Sequence, residues 1–137
     1  MQRRIERYLD QGYGESFLRD PQVATMIQTD LLSYDEKTLK LSAWVVMPNH
    51  IHLLLTRFED HTLAGVMQSL KSLSSRKANK ILKRSGPFWM ADYFDRYIRD
   101  GKHFAKTIHY IENNPVKARL CVRPEDWQFS SARYRGR

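Results

Sequence analysis

The segment from Ala43 to Leu55 constrains this chain more than any other. At its centre His50-Ile51-His52 is flanked by two apolar runs, Ala43 to Met47 and Leu53 to Leu55. In a strand, residues two apart project from the same face. His50 and His52 would then stand side by side on a buried sheet, with Ile51 packed behind them. Paired imidazoles on a rigid element read either as a structural pair or as half of a divalent-metal site.

The elements around this segment follow from pattern. Residues 2–10 carry Ile5, Tyr8 and Leu9 among charges and read as a short helix, broken over residues 11–14. Asp20-Pro21 reads as a helix start, Asp as N-cap and Pro at the first position. Val23, Met26, Ile27 and Leu31 continue the helical period to residue 33. Thr38 to Met47 reads as a strand, and Ile51 to Thr56 as a second, joined at Pro48-Asn49 by a bend or a tight corner. Thr62 to Lys83 is helical, with Leu63, Val66, Met67, Leu70, Leu73 and Ile81 facing a core. Tyr93 to Arg99 is rich in aromatic and β-branched residues and reads as a strand. Lys102 to Asn113 reads as a helix stopped by Pro115.

Charge points to the partner. The 137 residues carry a net charge of +8, which favours a polyanion. No acidic residue occurs between Asp60 and Asp92, whereas Lys71, Arg76, Lys77, Lys80, Lys83 and Arg84 lie along the second helix or just past its end. They read as a backbone-gripping face or as a solvated surface. No apolar run approaches the roughly 20 residues of a membrane span. A single cysteine, Cys121, rules out an internal disulfide and suits a cytoplasmic protein.

The helix before Pro115 carries a polar stripe, His103, Thr107, Tyr110 and Asn114, at i, i+4, i+7 and i+11. Asn114 is expected at the helix end, its amide free to turn. An amide oxygen is an acceptable hard ligand for Mg²⁺ or Mn²⁺. A tyrosine beside such a site suits nucleophilic attack on phosphate, with a covalent phosphodiester that retains the bond energy for rejoining. Each signal has an ordinary structural reading as well, and their joint occurrence and order give them weight.

Val46-Met47-Pro48-Asn49-His50-Ile51-His52-Leu53-Leu54, with Tyr110-Ile111-Glu112-Asn113-Asn114-Pro115-Val116-Lys117-Ala118 some sixty residues later, resembles the single-tyrosine HUH transposases. Within them the chain is most similar to the REP-associated tyrosine transposases. Ser85-Gly86-Pro87-Phe88-Trp89, Asp92-Tyr93-Phe94-Asp95-Arg96 and Trp127-Gln128-Phe129-Ser130-Ser131 extend the likeness from about Gly14 to Ser131. The resemblance implies that His50, His52 and Asn114 hold the metal. It implies that Tyr110 cleaves single-stranded DNA, leaving a 5′-phosphotyrosine link and a free 3′-OH. It implies hairpin DNA targets, a monomer or homodimer, and residence at the nucleoid in the cytoplasm. The basic helix is the implied backbone contact, and Trp89 or Tyr93 a stacking platform for an unpaired base.

The implied fold is α+β, a ferredoxin-like antiparallel sheet with helices on one face. Its first strand is central, beside the strand bearing the histidines. Nothing before Asp20 reads as that strand. The chain is therefore expected to be one transposase-like domain over residues 1–137, short at its N-terminus. The alternative function that follows is a non-cutting, hairpin-binding copy.

Overall fold

The computed structural model describes residues 4–11, 15–58, 61–90 and 95–135. In chain order the elements are β1 (Arg4–Asp10), α1 (Pro21–Ser33), β2 (Leu39–Val46), β3 (His50–Arg57), α2 (Leu63–Leu82), β4 (Asp95–Tyr97) and α3 (Gly101–Lys117). Short 3₁₀ turns lie before α1 and after α3. The strands form one antiparallel sheet in the order β2-β3-β1-β4. This is the ferredoxin-like arrangement, α+β as expected. Among the described residues no helix is long and apolar enough to cross a membrane.

The first strand is present, which corrects the helix expected over residues 2–10. β1 pairs with β3 along its whole length, Arg4 opposite Thr56 through Asp10 opposite His50. Ile5, Arg7 and Leu9 alternate with Glu6 and Tyr8, the period of a strand. The charges that suggest a surface helix are satisfied across the sheet. Arg7, almost fully buried, forms a two-pronged ion pair with Asp95, Nε to Oδ1 at 2.5 Å and Nη2 to Oδ2 at 2.7 Å. Asp95 lies opposite Arg7 on β4, so the register itself brings the partner into reach.

The helices also depart from the expectation of a single covered face. One face of the sheet presents Ile5, Leu9, Ile51, Leu53 and Leu55 to α1 and α2, which contribute Val23, Ile27, Leu31, Val66, Met67 and Leu70. The other face presents Ala43, Val45 and Leu54 to α3, through Phe104, Ile108 and Ile111. Both faces are therefore packed. A sheet covered on both sides explains why β2 and β3 read as almost continuous apolar runs.

Local signals explain where elements begin. The Asp20 carboxylate accepts from the Gln22 N–H and caps α1 at Pro21. The Thr62 hydroxyl caps α2 through the Gly65 N–H. A Cβ at Gly65 would stand 2.8 Å from that hydroxyl, which is why the position is glycine. Between β2 and β3 the chain makes a tight corner, closed by the Met47 N–H donating to the His50 carbonyl at 2.8 Å.

Pro115 does not stop α3. The helix continues to Lys117, and the Ala118 N–H donates to the Asn114 carbonyl. Proline removes one helix bond and disfavours helical geometry in the residue before it. Burial of Ile111 and Pro115 outweighs that cost. So does an anchor at Glu112, which accepts from the Ser131 hydroxyl at 2.6 Å and from Arg135 Nη2 at 2.6 Å. Ser131 in turn bonds the Trp44 backbone on both N–H and carbonyl. The segment after α3 thus ties the helix to the β2 edge. Of the expected break at residues 11–14, residues 12–14 lie outside the described residues; so do Tyr93 and the start of the strand expected from it.

Candidate active site

The register of β1 and β3 assembles the centre of the site. His50, His52 and Leu54 share the α3 face, and Tyr8 lies directly opposite His52. The Tyr8 ring stacks on His52 with centroids 3.9 Å apart and planes at 22°. It also reaches His50, at 6.0 Å. From α3, Tyr110 meets His52 edge to face at 5.7 Å. His52 is fully buried, while the Tyr110 side chain is 49% exposed. A rigid, enclosed imidazole thus abuts a tyrosine that solvent and a substrate can reach.

Glu6 completes the enclosed part. Its Oε2 lies 2.7 Å from His52 Nε2 in a buried pair, so that N–H donates to the carboxylate. The hydrogen bond from His52, foremost, holds the Glu6 carboxyl below its usual value despite burial, and the nearby Arg96 guanidinium adds to this. A carboxylate on one ring nitrogen fixes the imidazole's orientation and tautomer and leaves the other nitrogen with a lone pair. That nitrogen, His52 Nδ1, is buried without a hydrogen-bond partner.

The remaining predicted ligands are placed as follows. His50, half-buried at the head of β3, has Nδ1 2.8 Å from the Asn49 side-chain oxygen, which leaves Nε2 for another partner. Desolvation, foremost, pushes the His50 imidazole below its usual value, against the pull of Asp10. It is therefore neutral near pH 7, the form that binds metal. Asn114 follows Tyr110 by one helical turn on the same face of α3. Its side chain makes no hydrogen bond to either histidine, and the continued helix removes the free terminal position expected for it. Among the described residues no three His, Cys, Asp or Glu side chains converge as a metal cage. The orphaned Nδ1 of His52 and the open nitrogen of His50 nonetheless fit a divalent ion, and Asn114, one turn from Tyr110 on α3, is the oxygen ligand expected from the sequence.

Tyr8 is the functional candidate that sequence reasoning missed. Burial, foremost, together with the neighbouring Tyr110 and Glu6, pushes its phenol well above the usual range. Tyr8 therefore keeps its proton and can donate to the Tyr110 oxygen. The only signal for it was the strand alternation in residues 4–10.

The six predicted cations divide into two groups. Lys71 donates to the Met90 carbonyl, Lys77 pairs with Asp30 at 2.8 Å, and Arg84 bonds Asn79 and the Pro87 carbonyl and lies over the Phe17 ring. These three brace the fold. Arg76, Lys80 and Lys83 are exposed; the first two lie four apart on one stripe of α2, and Lys83 caps its end. This stripe lies on the opposite side of the sheet from Tyr110. Trp89 is buried and its indole N–H donates to Ser74, so it is a core residue rather than an open platform.

Residues 21–114 match the family described as transposase IS200 like, a span that holds both histidines, Tyr110 and Asn114. The chain belongs to the IS200-like transposase family. It is 28% identical over 97 residues to the REP-associated tyrosine transposase of Escherichia coli K12, across 70% of this chain and 56% of that protein. It is 31% identical over 96 residues to a Haemophilus influenzae protein provisionally assigned to the same group, across 63% of this chain and 54% of that one. The match thus spans little more than half the length of either relative. The fold superposes on a REP-associated tyrosine transposase bound to a REP hairpin with a TM-score of 0.74, covering 97% of this chain and 78% of that one. At 19% identity this last likeness is one of fold.

Proposed function

We propose that this transposase-family chain cleaves and rejoins single-stranded DNA beside a hairpin, with Tyr110 as nucleophile and His50, His52 and Asn114 as ligands for Mg²⁺ or Mn²⁺. The observation that carries the reading is the contact series Tyr8, His52, Tyr110 on the α3 face of the sheet. The Tyr110 oxygen attacks the scissile phosphorus, forming a phosphodiester to the phenol as the bond to the 3′-oxygen breaks. That oxygen leaves as a 3′-OH after taking up a proton; the phenol proton goes to solvent. Rejoining is the reverse, with a 3′-OH attacking and the tyrosine oxygen leaving. Tyr8 donates a hydrogen bond to the Tyr110 oxygen whenever it carries negative charge. Glu6 fixes the His52 ring, and Tyr8 packs against its face. The bound divalent ion supplies electrophilic polarisation of the phosphate.

Hairpin recognition falls to the Arg76, Lys80 and Lys83 stripe, through phosphate contacts that depend on salt. The name of the structural neighbour, bound to a REP hairpin, supports a hairpin as the DNA class. The alternative of a non-cutting copy rested on a missing first strand, and β1 takes that premise away. Such a protein acts at the chromosome, in the cytoplasm. The test is incubation with hairpin DNA bearing single-stranded flanks and Mn²⁺. A denaturation-resistant protein–DNA adduct is expected, lost in Tyr110→Phe and in the double variant His50→Ala with His52→Ala. Cleavage that persists in either variant would refute the assignment it removes.

A further inference from the structure

The sequence Trp127-Gln128-Phe129-Ser130-Ser131 lies along the outer edge of β2 and bonds three consecutive residues of it. The Val46 N–H donates to the Phe129 carbonyl at 2.8 Å, and the Trp127 indole donates to the Val46 carbonyl at 3.1 Å. Ser130 bridges Val45. The Trp44 N–H donates to the Ser131 hydroxyl at 3.0 Å, and that hydroxyl donates in turn to Glu112 of α3 at 2.6 Å. On their other side the same three residues pair with the histidine-bearing strand: Trp44 with Leu53, Val45 with His52, Val46 with Ile51. One hydroxyl thus links the helix of Tyr110 to the register that holds His52.

The place of Glu112 on α3 gives this clasp leverage over Tyr110. The two residues are two apart, about 200° around the helix, with Ile111 between them packed on the sheet. Tyr110 reaches His52 on one flank, while Glu112 is tied to β2 on the other. The Tyr110 flank borders an open cleft of about 420 Å³, which His103, Lys106 and Thr107 of the same helix also line. Packing on that flank does little to stop α3 rolling about its axis. The Ile111 contact is apolar and non-directional, so it fixes the distance from helix to sheet better than the angle of roll. Glu112 fixes the angle. It is buried, Arg135 Nε and Nη2 both donate to it, and Arg135 also donates to the Ser42 carbonyl at 3.0 Å. A satisfied buried polar network rigidifies its surroundings. The phenol oxygen stands far outside the Cα cylinder of roughly 2.3 Å radius, so a small roll is amplified at its tip.

We infer that Glu112 and Ser131 are positioning residues for the nucleophile: through them the C-terminal segment sets the roll of α3, and so the place of the Tyr110 oxygen relative to His52. The inference rests on the proposed role of Tyr110. Both residues act through the helix, on the side away from the reacting atoms. Misplacing a reacting atom by about 1 Å costs about 100-fold in rate, so a loosened roll should slow attack without weakening DNA binding.

The test uses the whole chain and compares Ser131→Ala and Glu112→Gln with Ile27→Val and Leu31→Ala. The last two are graded losses of core packing on α1, on the far face of the sheet. Single-turnover adduct formation on flanked hairpin DNA with Mn²⁺ is followed at saturating protein, at a temperature where every variant is folded. Ser131→Ala and Glu112→Gln should each lower the rate by roughly tenfold or more, with hairpin affinity unchanged. Arg135→Lys, which keeps a cation beside Glu112, should lose less than either. Ile27→Val and Leu31→Ala should lower the urea midpoint and leave the rate as in the parent. A second readout needs no cutting. The His52 ring-proton resonances sense the Tyr110 ring, 5.7 Å away, and should shift in Ser131→Ala but not in Leu31→Ala. Parent-like rates and resonances in both clasp variants would overturn the inference. So would equal rate losses in the α1 variants at equal loss of stability, the mark of a merely structural contact. If the parent itself forms no adduct, the reading of Tyr110 as nucleophile falls; a shifted His52 resonance would then still uphold the clasp's hold on the Tyr110 ring, and an unshifted one would refute it.

Discussion

Tyr8→Phe isolates one atom of the proposed chemistry. The phenyl ring can keep its stacking on His52 at 3.9 Å, so the buried imidazole stays in place. What is lost is the protonated hydroxyl proposed to donate to the Tyr110 oxygen. A hydrogen bond to a charged group contributes about 1.5–3 kcal/mol. If that bond strengthens as the Tyr110 oxygen gains charge, its loss should slow covalent adduct formation by roughly 10- to 100-fold. The assay is single-turnover adduct formation on flanked hairpin DNA at saturating protein, followed by denaturing electrophoresis. Hairpin affinity, measured in parallel, should be unchanged. Tyr8→Leu removes the stacked ring as well and should cost more. An unchanged adduct rate in Tyr8→Phe, with binding intact, would refute the view that Tyr8 acts on the Tyr110 oxygen.

Other expectations follow from the same geometry. The Glu6 carboxyl is held below its ordinary value of 4.5, chiefly by the hydrogen bond from His52. Its contribution to stability is therefore full above about that pH and is lost as pH falls through the lowered value. Glu6→Gln should be less stable than the parent at pH 7, and urea midpoints of the two should converge in acid below pH 4.5. Asp95→Asn strips the buried Arg7 guanidinium of its two-pronged partner and should cost about 3 kcal/mol in denaturant unfolding; no measurable loss would contradict the role given to that pair. Replacing Arg76, Lys80 and Lys83 together with Ala should weaken blunt-hairpin binding and reduce its salt dependence by about three phosphate contacts. Retention of the full salt slope would move the hairpin site elsewhere.

The parts of the fold that could be read in the chain were those whose causes are local. The Asp20-Pro21 start of α1, the apolar stripe of α2 and the alternation that brings His50 and His52 to one face all depend on neighbours within a few residues. β1 was missed because its explanation lies far away. Arg7 sits on a core-facing position, which is tolerable only with Asp95 beside it, and Glu6 is buried because His52 binds it. Read alone, those charges suggest a surface helix. Pro115 misled in the same way. The local rule ends the helix, whereas Glu112, Ser131 and Arg135 hold it against β2. Of the site itself, the His pair and Tyr110 were visible from type and spacing. Tyr8 became visible only with the register of β1 against β3. The division of the six basic residues into braces and an exposed stripe likewise depends on distant partners such as Asp30 and Phe17.

The central claim is that a single side chain, Tyr110, becomes covalently joined to DNA. The direct measurement is mass spectrometry of peptides from the adduct formed with flanked hairpin DNA and Mn²⁺, after nuclease digestion. The account predicts a nucleotide-bearing peptide modified at Tyr110, with the phosphate on the phenol oxygen and a free 3′-OH on the released strand. Modification at Tyr8 or another residue, or cleavage with no covalent peptide at all, would contradict it.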